Sequence, residues 1–234
     1  MTGAAKLLAS VAAALLATAA SADPPNLNVI EGDAGETELE MIGFISTGSR
    51  GAPRFQFNGE LSHVVTDSFG VELQLTGSRE HTGSTLRAQN LELQLLAKVS
   101  DLPRGGSLGV SAEAALGLSH GEDDVGGLVY AILPIRGWTL SLNIGGERSL
   151  TSREASFVYA WAFEREFGEW WSVRIEGGGE RALQGDQRPE HYAGPFFTWQ
   201  TGRRDGSPKL ALGYLAGLSS ASPNLFKIGL IADF

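Results

Sequence analysis

Apolar and polar residues alternate with a period of two along most of this chain, in segments of about ten residues divided by short polar or glycine-rich breaks. Phe69, Val71, Leu73 and Leu75 alternate with Gly70, Glu72, Gln74 and Thr76, and Leu91, Leu93 and Leu95 alternate with Glu92 and Gln94. Trp138, Leu140, Leu142 and Ile144 keep the same beat against Thr139, Ser141, Asn143 and Gly145. A helix repeats its faces every ~3.6 residues, so this pattern is a strand pattern. Clear segments lie near 54–62, 69–76, 90–99, 108–119, 138–145, 157–164, 171–176, 209–216 and 225–234. Weaker ones lie near 36–45, 125–134 and 190–201, making about twelve in all. In 190–201 both faces are partly apolar, so its orientation stays open. No segment beyond the N-terminus reads as a helix.

Strands of about ten residues match the length that crosses a bilayer at a tilt. A water-soluble sandwich would also alternate, with its charged face outside. Three features favour the membrane. The polar faces are rich in Gly, Ser, Ala and Asn, which suits a crowded lumen. The aromatics Phe55, Phe69, Trp138, Phe163, Trp170 and Trp171 gather near strand ends, where interfacial girdles sit. An N-terminal export signal and the lack of Cys suit a bacterial envelope protein. The expected fold is all-β: a single closed antiparallel transmembrane β-barrel of about twelve strands over residues 36–234.

Residues 1–22 read as a secretory signal peptide, with Lys6 before an apolar core and Ala20-Ser21-Ala22 as the cleavage site. The core is shorter than the ~20 residues a spanning helix needs. Residues 23–35, with Pro24-Pro25, read as a periplasmic leader. The mature chain should therefore begin at Asp23; sequencing envelope material and finding Met1 or Thr2 would contradict this. The expected location is the cell outer membrane of a Gram-negative envelope. An even strand count places both termini of the barrel on one side, expected to be the periplasmic one. Short turns are then expected near 66–68, 100–106, 134–137, 166–169 and 202–207, and external loops near 47–53, 79–85, 120–124, 147–154, 179–189 and 218–224.

Twelve tilted strands at ~4.8 Å spacing enclose a backbone radius of roughly 12 Å, which side chains reduce to a narrow lumen. Candidate lumen-lining residues are Arg54, Glu60, Glu72, Glu92, Lys98, Glu113, Glu164, Arg174, Glu176, Lys209, Lys227 and Asp233. They support two readings. One is a passive, cation-preferring channel or transporter for small solutes. The other is a sealed structural barrel, in which Arg54, Lys98 and Arg174 neutralise Glu60, Glu72, Glu92 and Glu113.

Other chemistry is set aside. With 18 Lys plus Arg against 27 Asp plus Glu and no Cys, the chain suits neither nucleic acid nor thiolate and Cys-metal chemistry. It has no GxGxxG opening a helix, no GxxxxGK[ST] and no HExxH, and no cofactor is expected. His63, His81, His120 and His191 show no metal-ligand spacing, and His120 with Glu122, Asp123 and Asp124 reads as a solvated acidic loop. Ser62–His63 and Glu190–His191 are neighbours in strands and face opposite ways, so neither is a catalytic pair, and no enzyme is expected.

The run Gly59 to Leu75, with Glu60, Thr66, Asp67 and Phe69, resembles small bacterial outer-membrane proteins of transporter type, including the MetA-pathway phenol-degradation family. Tyr192, Gly194, Pro195, Phe197 and Trp199 are similar to the late strands of that family. The resemblance covers about residues 55–234 through short motifs. It implies an envelope location and passage of small, even apolar, compounds, and it transfers no site residue. The last strand, with Phe226, Ile228, Leu230 and Phe234 in phase, resembles the signal read by the barrel assembly machinery. Expected partners are thus outer-membrane lipid, that machinery and a small-molecule solute.

Overall fold

The computed structural model describes residues 29–30, 33–47, 55–79, 85–119, 121–168, 170–184, 188–202 and 207–234. The signal peptide, residues 23–28 of the leader, Arg54, His81 and His120 lie outside the described residues.

Twelve strands follow one another: β1 (Thr37–Thr47), β2 (Phe55–Thr66), β3 (Phe69–Arg79), β4 (Arg87–Leu102), β5 (Gly106–Gly117) and β6 (Asp124–Ile135), then β7 (Trp138–Ser149), β8 (Ala155–Phe167), β9 (Trp171–Ala182), β10 (Glu190–Gln200), β11 (Lys209–Gly217) and β12 (Asn224–Asp233). Each pairs antiparallel with its sequence neighbours, and β1 pairs with β12 from Glu38↔Asp233 to Thr47↔Asn224. Mutual bonds between Thr37 and Phe234 finish the seam at 3.1 and 2.9 Å. Closure leaves no unpaired strand edge, which lipid could not satisfy.

One end carries the start of β1 and the end of β12, and is called here the terminal end; the other is the distal end. The turns at the terminal end include tight ones. Arg136 and Gly137 (φ 52° and 81°) join β6 to β7 in a two-residue hairpin with both central residues left-handed, the geometry that follows strand twist. The Pro103–Gly105 turn joins β4 to β5. Strands extend further than the alternation suggested. Glu147, Gly179 and Glu180, expected in loops, belong to β7 and β9.

The outer face is a continuous apolar surface. Leu116 is 56% exposed, Ile144 53%, Leu212 59% and Ile228 54%, values that water would penalise and hydrocarbon would not. Aromatics ring the terminal end. Trp138 stacks on Phe163 at 4.6 Å and Phe167 on Trp171 at 4.2 Å, and the Arg165 guanidinium lies 5.1 Å from the Phe167 ring centre. Flat rings with a cation beside them suit the headgroup level. The strand left unoriented is settled: Tyr192 and Phe196 are buried inside, while Phe197 and Trp199 point outward and are exposed.

Candidate functional site: the barrel lumen

Register determines which inward residues share a row. One row runs Glu40, Glu60, Gln74, Glu92, Ala115, Asp124 across β1 to β6. A second runs Glu38, Ser62, Glu72, Gln94, Glu113, Gly126, Glu147 across β1 to β7. Because the strands tilt, each row climbs from the terminal end at β1 towards the distal end at β6 or β7. The wall formed by β1 to β7 is therefore lined with carboxylates.

The bases lie mainly on the other strands. Arg174, Lys209 and Lys227 lie on β9, β11 and β12, with Arg87 and Lys98 near the two rims of β4. Lys227 Nζ donates to Glu176 Oε1 at 2.8 Å, with side chains only 9% and 10% exposed. Arg174 donates to Glu164 Oε2 through Nε at 2.9 Å and Nη2 at 2.7 Å. Ser172 Oγ donates to the other Glu164 oxygen at 2.6 Å. Lys209 pairs with Asp233 at 2.9 Å at the terminal rim. The Phe196 ring lies between two of these cations, 4.2 Å from Lys227 Nζ and 5.8 Å from the Arg174 guanidinium carbon. Gly213, directly beside Phe196, leaves space for that ring, since a Cβ there would come within 2.6 Å of it.

Each expected lumen residue other than Arg54, which lies outside the described residues, thus has a place. Glu60, Glu72, Glu92 and Glu113 lie together on the acidic wall. Glu164, Arg174, Glu176 and Lys227 form one ion-pair chain, and Lys209 with Asp233 closes the rim. Lys98 pairs with the exposed Asp101 at 3.2 Å, at the terminal end of the wall. Arg174 pairs with Glu164 and Lys98 with Asp101, while Arg54, the third base of the sealed arrangement, lies outside the described residues. Residues missed by the sequence reading are Glu38, Glu40, Asp124, Glu147 and Glu180. Glu147 and Glu180 keep the phase of Asn143 and Glu176, but they follow glycine pairs that read as strand ends.

Part of the interior is apolar, where small or charged residues were expected. Ile42, Phe44, Tyr192, Leu215 and Leu225 form a buried cluster on the β10–β11–β12–β1 side. Tyr130 is buried over Gly109, where any Cβ would run into its ring. These groups narrow the passage. In the distal half a cavity of about 120 Å³ remains, lined by Asn58, Thr76, Asn90, Glu92, Glu113 and Glu147, with apolar Leu128 and Val158.

The other candidates serve structure. Glu122 accepts from Ser149 and Ser152, and Asp123 accepts the Gly117 N–H at 2.9 Å, so both tie distal loops. His63 bonds Thr37 at 2.9 Å and His191 bonds Tyr159 at 3.0 Å. Among the described residues, no group of three or more His, Cys, Asp or Glu is placed to hold a metal ion.

An apolar exterior, a polar and charged interior and a sheet closed on itself define a β-barrel of the outer-membrane type. Among solved structures the chain is similar to an outer membrane channel from Pseudomonas putida F1, at 14% identity and a TM-score of 0.59, covering 91% of this chain and 99% of that one. It is also similar to the translocator domain of the autotransporter NalP from Neisseria meningitidis, at 10% identity and a TM-score of 0.50, covering 98% of this chain and 95% of that one. No family model matches the chain, and no curated relative matches it.

Proposed function

We propose that the chain is a passive outer-membrane channel for small solutes, with a weak preference for cations and no energy coupling. The acidic wall of β1 to β7 carries this reading. Arg174, Lys209 and Lys227 are paired with Glu164, Asp233 and Glu176, on the β8 to β12 side of the ring. Fixed negative charge concentrates cations and repels anions within a Debye length of about 8 Å. The narrow ring and its apolar cluster keep the conductance small. In this reading the terminal end faces the periplasm, β12 is the strand presented to the assembly machinery, and the chain catalyses no reaction. The barrel described as an outer membrane channel supports it by analogy of fold.

The sealed barrel is the second reading, favoured by the buried ion pairs and the apolar interior cluster. Reversal potentials of the refolded protein across a potassium chloride gradient separate them. A small current with cation preference is expected. Anion preference would overturn the charge argument, and a folded barrel without current would establish the sealed reading.

A further inference from the structure

We propose that the distal cavity is a binding site for a short aliphatic diamine. The first observation is a line of buried acceptors without donors. Asn58, Thr76 and Asn90 are aligned across β2, β3 and β4. Asn58 Oδ1, Thr76 Oγ1 and Asn90 Oδ1 are buried and have no hydrogen-bond partner among the described residues, and Thr76 and Asn90 are only 7% and 8% exposed. All three residues line the cavity. A buried acceptor left unmade is costly, so adjacent ones mark a place where a donor-rich ligand gains most.

The second observation is charge. Glu113 and Glu147 flank Gly126 in one row, their backbones about 10 Å apart at two strand spacings. A Cβ at Gly126 would collide with the Glu113 carboxylate, so that side chain lies across the glycine towards β7. Gln94 Nε2 donates to Glu113 Oε2 at 3.1 Å and fixes its direction. Two carboxylates in one row of the cavity wall match two ammonium groups, each of which brings three N–H donors and no acceptor. The apolar lining from Leu128 and Val158 suits the methylenes between them. An anion is repelled here. A single metal ion finds no cluster of three ligating side chains among the described residues.

The site stands on this geometry, while its reading as the solute's route rests on the channel proposed above. Isothermal titration of the full-length refolded barrel with 1,4-diaminobutane, 1-aminobutane and tetramethylammonium tests the site without any current. Saturable diamine binding is expected, at least tenfold tighter than 1-aminobutane, with tetramethylammonium weaker still because it has no N–H. Glu113→Gln and Glu147→Gln should each weaken the diamine about tenfold and bring it close to 1-aminobutane. Thr76→Val removes an orphan acceptor, so it should leave unfolding unchanged or improved while weakening the diamine severalfold. Equal affinity for all three cations, no saturable binding, or unchanged affinity in the folded Thr76→Val protein would overturn the site. A barrel that conducts but does not bind diamine would refute this inference and leave the channel reading standing. A barrel that binds diamine but passes no current would do the reverse.

Discussion

Replacing Lys227 with Met should destabilise the barrel by about 3 kcal/mol, the lower end of the cost of stranding one partner of a buried ion pair. Lys227 Nζ lies 2.8 Å from Glu176 Oε1, and both side chains are almost fully buried. Without the ammonium, Glu176 keeps only the Arg174 guanidinium, at 3.9 Å and already engaged by Glu164. The Phe196 ring loses the closer of its two cations as well. Met retains the volume of the stem, so the loss comes from charge and not from a cavity. The double change Lys227→Met with Glu176→Gln should recover most of the loss, because it strands no charge. Denaturant unfolding of the vesicle-embedded protein, followed by tryptophan fluorescence, measures both. A single-variant loss under about 1 kcal/mol would mean that water reaches Glu176 freely, as in a well-hydrated passage. The measurement therefore reports on the wetness of the lumen as well as on stability.

Strand count, closure and the lipid face were legible because the two faces of a membrane strand meet different solvents, and that difference imprints a period of two. Leu73, Leu93 and Ile144 declare their face without knowledge of any neighbour. The interior was less legible for two reasons. On β1 and β10 to β12 both faces carry apolar groups, so Ile42, Phe44 and Phe196 could not be told from lipid-facing residues until pairing was known. Contacts across the lumen also depend on register accumulated around the ring. Lys227 and Glu176 are 51 residues apart, on strands separated by two others, and no local spacing signals their meeting. Glu147 and Glu180 show a third limit. Phase counting reaches them, but Gly145-Gly146 and Gly177-Gly178-Gly179 read as breaks. Inside a barrel those glycines are instead close-approach positions: a Cβ at Gly177 would meet the Trp161 ring at 2.6 Å, and one at Gly145 would meet Leu128 at 2.6 Å.

On the outer face, Ile228→Arg should cost about 2–4 kcal/mol, the penalty for a cation on a barrel's lipid surface near the midplane. Ile228 is 54% exposed, lies mid-strand in β12, and is aligned with Gly43 on β1 and Leu212 on β11. A guanidinium there would face hydrocarbon near the midplane. Leu230→Arg should cost less, since Leu230 lies one alternation closer to the terminal end, where a long side chain reaches the interface. The graded pair is a stronger test than either change alone. A soluble barrel would tolerate both substitutions with almost no loss, and would gain solubility from them. A membrane barrel with the opposite faces inward would tolerate Ile228→Arg and gain stability from Lys227→Met. Equal, small losses at both positions in vesicle-embedded protein would place β12 away from lipid. A larger loss at Leu230 than at Ile228 would instead shift the hydrocarbon slab towards the terminal end, away from the level that the Trp138–Phe163 and Phe167–Trp171 stacks mark as its boundary.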